Sequence, residues 1–103
     1  MRKRFRRCSI YLGIAYYSLG DYKKAIEFHQ QSLSIAKEIG SKDTEGKAYG
    51  NLGLAYRSLG DYKKAIEFHQ KSLSIAEEIG DKGSQGAAYG DLGSAYDLSL
   101  IHI

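Results

Sequence analysis

Residues 11–50 align with residues 51–90 without a gap, and 30 of the 40 paired positions are identical. The block from Ser18 to Gln30 returns unchanged as Ser58 to Gln70. A third copy opens at Asp91-Leu92-Gly93-Ser94-Ala95-Tyr96 and departs from the pattern after Asp97. A period in the range of about 20–50 residues constrains the fold more than any other feature. It implies a linear array of small units, each covering the apolar face of its neighbour.

The rest of the composition agrees. Hydrophobic residues make up 43% of the chain and charged residues 26%, a globular balance. The chain has no proline, so nothing in it obliges a helix to break. A single cysteine excludes an intrachain disulfide and a Cys/His zinc cluster. No apolar run approaches the ~18 residues of a membrane span. The net charge of +3 is unevenly placed. Arg2, Lys3, Arg4, Arg6 and Arg7 contribute +5, and the remainder, with ten basic and twelve acidic residues, carries −2. Nucleic-acid binding is therefore not expected of the body, although the arm itself is able to touch phosphate or another polyanion.

Each unit reads as two helices. From Asp61 to Gly80, one half of the helical wheel holds Ala65, Ile66, Phe68, His69, Ser72, Leu73, Ile75, Ala76 and Ile79, and the other half is charged or polar. Asp61 suits the N-cap and Gly80 the C-terminal stop. The helix before it, about Lys42 to Leu59, gathers Ala48, Leu52, Ala55, Tyr56 and Leu59 on one face. Beside them run Gly46, Gly50 and Gly53. Each interior helical glycine costs roughly 1 kcal/mol relative to alanine, so such a stripe implies a closely approaching neighbour. The turn Leu59-Gly60-Asp61 permits only an antiparallel hairpin. The pattern predicts five helices, near 2–19, 21–39, 42–59, 61–79 and 82–97, and no strand.

The spaced string Tyr49, Leu52-Gly53, Tyr56, Gly60-Asp61-Tyr62, Ala65, Phe68 resembles the tetratricopeptide repeat, and Leu12-Gly13, Tyr16, Gly20-Asp21-Tyr22, Ala25, Phe28 repeat it. The 40-residue period and the phrases Ala48–Gly53 and Ile75–Asp81 are similar to the long-unit subtype of Pins-type G-protein-signalling modulators and kinesin light chains. The resemblance implies an all-α, right-handed superhelical solenoid of about two and a half repeats. These would be 1–40 with its basic arm, 41–80, the first helix of a third at 81–97, and a non-repeat tail at 98–103. The tail's apolar sequence and the abrupt break suggest a fragment of a longer array, or a segment folding back over the open end. Ser32 and Ser72 stand where the family commonly has alanine, and His29 and His69 where it commonly has an aromatic residue.

The same resemblance implies a non-catalytic, cytoplasmic scaffold module whose first helices line a concave groove for a partner's peptide or helix. The corresponding positions are Tyr11, Ile14 and Tyr17 in the first unit, Lys47, Asn51, Leu54 and Arg57 in the second, and Asp91 in the third. They grade from apolar through basic and amide to acidic. Asn51 offers both a donor and an acceptor to a peptide backbone, and Arg57 is expected to be exposed and able to hold a carboxylate. Ile14 and Leu54 replace the Asn of the chaperone-binding carboxylate clamp, so a chaperone tail is not the expected ligand. No cofactor or metal is expected. His29 and His69 read as buried neutral imidazoles, each with one hydrogen bond to a serine of its own stripe. Cys8 aligns with Ala48 and Ala88 and reads as a packed structural thiol. No nucleophile-and-base order supports an enzyme. With few units and apolar ends, self-association through the open ends is also expected.

Overall fold

The structure is a computed structural model that describes the backbone of residues 2–101 and the side chains of residues 9–100. Five helices run α1 Arg2–Ser18, α2 Tyr22–Ile39, α3 Lys42–Leu59, α4 Tyr62–Ile79 and α5 Lys82–Ile101, with no strand among the described residues. The bounds of the first four lie within a residue or so of those predicted. The fifth does not stop at 97. Leu98, Ser99, Leu100 and Ile101 contain no glycine or proline, so α5 continues where the repeat pattern ends. The tail therefore extends the last helix as far as Ile101 rather than folding back. The side chains of the basic arm and of Cys8, and the last two residues, lie outside the described residues.

The helix ends follow from local chemistry. Asp21 and Asp61 each accept the backbone N–H three residues on, from Lys24 and Lys64, at 3.2 Å. Ser41 does the same for Thr44, and Asp81 for Ser84. At the other ends, Gly40 and Gly60 adopt the left-handed conformation, with φ of 73° and 88°, which costs glycine no Cβ clash. The following N–H groups of Ser41 and Asp61 turn back to the carbonyls of Ala36 and Tyr56 at 2.9 Å. Orphan backbone groups at both ends are thus satisfied by residues that the repeat copies together.

Each helix packs on its neighbours in the chain, and α3 also touches α5. The seams are filled by fully buried alanines, Ala25, Ala55, Ala65 and Ala95, which let the helices approach closely. Ile26, Leu52 and Ala55 form a buried centre flanked by Tyr17, Leu33, Tyr56 and Phe68. The rings of Tyr16 and Phe28 stack at 5.5 Å, and those of Tyr56 and Phe68 repeat the arrangement at the same distance. Such contacts add about 0.5–1.5 kcal/mol beyond the area they bury. At the edge helix α1, Leu12 is 40% exposed, whereas its counterpart Leu52 in α3 is fully buried.

Candidate functional site

The glycine stripe of α3 is the point at which α4 comes closest. A Cβ placed on Gly53 would lie 2.5 Å from the His69 ring, and one on Gly46 would lie 3.1 Å from Cγ2 of Ile75. Gly13 stands to His29 as Gly53 stands to His69, again at 2.5 Å. The two histidines are thus the side chains for which these glycines make room. Ser72 uses the same gap: its hydroxyl donates to the carbonyl of Gly46 at 3.0 Å. This accounts for a serine where alanine is common, and it removes Ser72 as the expected partner of His69.

Both histidines are buried, as expected, but the expected serine bonds do not form. Nδ1 of His29 and both ring nitrogens of His69 have no hydrogen-bond partner among the described residues. Burial pushes the His29 imidazole down to about 4. His69 is also lowered, first by burial and further by Arg57, while Asp91 acts in the opposite direction. Its Nδ1 lies 3.9 Å from Oδ2 of Asp91. At neutral pH both rings are uncharged, since the charged form would have to leave water.

A cleft of about 450 Å³ opens across the first helices, with a floor contributed by α4. Of the residues expected in a groove, Ile14, Lys47, Asn51, Leu54 and Asp91 line it. Tyr11, Tyr17 and Arg57 are not among its lining residues. Tyr11 stands 67% exposed on α1. The Tyr17 hydroxyl is 3.0 Å from Oγ of Ser58. Arg57 departs from expectation: it is half-buried, and its Nη1 donates to Oγ of Ser94 at 2.9 Å. Tyr17 and Arg57 occupy the same place in successive units, and each reaches forward to the next first helix. Their shared register was visible in the sequence, but the forward reach was not, because a helical wheel carries no information about the next unit.

The cleft also takes residues that the sequence reading assigned to the core. Ile75 and Ile79 come from α4 and complete the apolar floor. Lys47 is held by Asp43 one turn earlier, Nζ to Oδ2 at 3.2 Å. A second, more open depression lies between α3 and α4, where the Lys71 ammonium lies over the rings of Tyr49 and Phe68 at about 5.5 Å. Among the described residues no group of three metal-ligating side chains forms, and no helix is long and apolar enough to cross a membrane.

Comparison with known proteins agrees with this geometry. The tetratricopeptide repeat family profile matches residues 6–78 and 44–99. G-protein-signaling modulator 1 of Mus musculus is 46% identical over 41 residues, which are 40% of this chain and 6% of that protein. The Homo sapiens protein is 45% identical over the same length. The chain thus spans a small part of these curated relatives. The crystal structure of the TPR domain of Arabidopsis FLU superposes with a TM-score of 0.90 at 22% identity, covering 95% of this chain and 82% of that one.

Proposed function

The chain belongs to the tetratricopeptide repeat family, and from that premise we propose that it is a non-catalytic binding module of a cytoplasmic scaffold, taking an extended peptide or short helix of a partner protein across α1, α3 and α5. The observation that carries the reading is the cleft itself: an apolar floor bordered by a small number of polar groups, the usual character of a recognition site. In this reading Ile14 and Leu54 supply apolar contact, and Asn51 bonds the ligand backbone. Tyr11 and Tyr17 extend the contact along α1, and Lys47 and Asp91 set the charge at the two sides. Arg57 acts through its bond to Ser94, holding α3 against α5, rather than as a free anchor.

The first test uses a partner recovered with the chain as bait. Asn51→Ala and Leu54→Ala should each weaken binding, while Lys63→Ala, Glu67→Ala and Lys71→Ala on the outer face should not. The reverse pattern would move the partner to the outer face. A second reading, self-association through the ends, is favoured by Leu12 on α1 and by Tyr89 and Tyr96 on α5, all about half exposed. Sedimentation over a range of concentrations checks it, and a single monomer species at every concentration would dismiss it.

A further inference from the structure

The charges that line the cleft are few. Asp43, Lys47 and Asp91 make a net of −1. Asp43 and Lys47 are already paired with one another at 3.2 Å. Arg57, on the neighbouring turn of α3, is committed to Ser94. That leaves the carboxylate of Asp91. Among the described residues its charged-group neighbour is His69, 3.9 Å away, with a side chain 1% exposed. Burial keeps that ring in its neutral form, so it does not cancel the carboxylate's charge. Asp91 keeps about a third of its side chain open to solvent. A carboxylate in this position is partly stripped of water and, among the described residues, has no lysine or arginine at ion-pair distance, Arg57 being bonded to Ser94 one turn further along α5. Charge-assisted bonds to such a group are shorter and stronger than neutral ones.

The surroundings restrict what can reach it. Leu54, Ile75 and Ile79 line the same cleft, and Ile14 lies across it on α1. A bare cation finds little to hold it there, whereas a side chain with an aliphatic stem and a charged tip fits both surfaces. The acid is also confined to one end of the array. The position of Asp91 is occupied by Asn51 in the second unit and Tyr11 in the first.

We propose that the cleft selects peptides carrying a lysine or arginine that Asp91 receives, together with an aliphatic residue seated toward Ile14 and Leu54. This rests on the reading of the cleft as a peptide site and gives that site its ligand chemistry: a basic–aliphatic segment rather than an acidic one.

The probe is a phage-displayed library of random twelve-residue peptides selected on the full chain. Enriched sequences should contain Lys or Arg together with Leu, Ile or Val. The tightest of them, made synthetically and labelled, should lose about tenfold or more in affinity on Asp91→Asn, and should weaken as salt rises. Glu77→Gln, at an exposed carboxylate on α4 that is not among the cleft-lining residues, should change affinity less than twofold. Asp91→Asn is a safe substitution for folding, because asparagine already stands at the equivalent position in α3. Enrichment of acidic or uncharged peptides would overturn the proposal, as would peptides that respond to Leu54→Ala and Asn51→Ala but not to Asp91→Asn; the cleft would then remain a peptide site of other chemistry. Peptides indifferent to all three substitutions, or no enrichment over the bare support, would overturn the peptide-site reading as well.

Discussion

Helices α3 and α5 carry the same glycine stripe forty residues apart, and their surroundings differ completely. In α3, Gly46, Gly50 and Gly53 lie against Ile75, Ser72 and His69 of α4. In α5, none of the described residues lies within 4 Å of the Cβ positions of Gly86, Gly90 and Gly93. The tyrosines record the same contrast: Tyr49 is 7% exposed and Tyr89 is 58% exposed. The same small residues are therefore a packing device in one helix and an uncompensated propensity cost in the other. What a glycine is worth is set by the helix laid over it, not by its own position in the sequence.

The largest effect expected concerns the imidazoles that fill the covered stripes. The folded-state value of His29, about 4, lies below the ordinary 6.5. The folded state therefore excludes a proton that the unfolded chain takes up. The stabilisation from this exclusion is complete above pH 6.5, declines as the pH falls, and is gone below about 4. The full difference amounts to about 3 kcal/mol, with about 2 kcal/mol lost by pH 5. Urea unfolding at pH 7.5 and pH 5 should show this loss, and His29→Gln should flatten most of the dependence.

Next comes the contrast between the two stripes. Gly53→Ala puts a methyl group into the buried His69 ring and should destabilise the chain by about 1–3 kcal/mol. Gly93→Ala meets open space and should stabilise it by up to about 1 kcal/mol through helix propensity. Thermal unfolding by circular dichroism measures both. Equal effects at 53 and 93 would mean that the α4 contact does not govern the stripe. Smaller still, Arg57→Ala should preserve helicity and cost about 1 kcal/mol through the lost bond to Ser94. A loss below a few tenths would show that α3 and α5 do not depend on this link.

The helix limits were legible because Asp21, Asp61, Gly40 and Gly80 are both sequence signals and the physical agents of capping. The end of α5 is not legible in the repeat, because the pattern is lost at Leu98 while no residue from there to Ile101 stops a helix. The burial of His69 followed from its place on the wheel. Its lack of a serine partner did not, because Ser72 is drawn to the carbonyl of Gly46 on the facing helix, which a wheel of α4 alone does not show. The cleft was partly legible. Ile14, Asn51 and Leu54 follow from one wheel face, but Ile75 and Ile79 enter from a different helix. The Arg57–Ser94 bond joins units whose spacing a single helix cannot reveal.

Packing between chain neighbours, helix by helix, also sets the order of events when the chain folds. Nearly every contact joins segments close in sequence, so no long loop has to close before packing is rewarded, and collapse should be fast. The near-identity of α2 and α4 works against that speed. During folding α3 meets two almost interchangeable partners, one of which belongs in its own hairpin and the other in the hairpin before. A transient pairing that seats α2 on the face of α3 reserved for α4 matches side chain to side chain yet is wrong in geometry. Repetition thus gives the chain rapid local assembly together with a built-in source of kinetic traps.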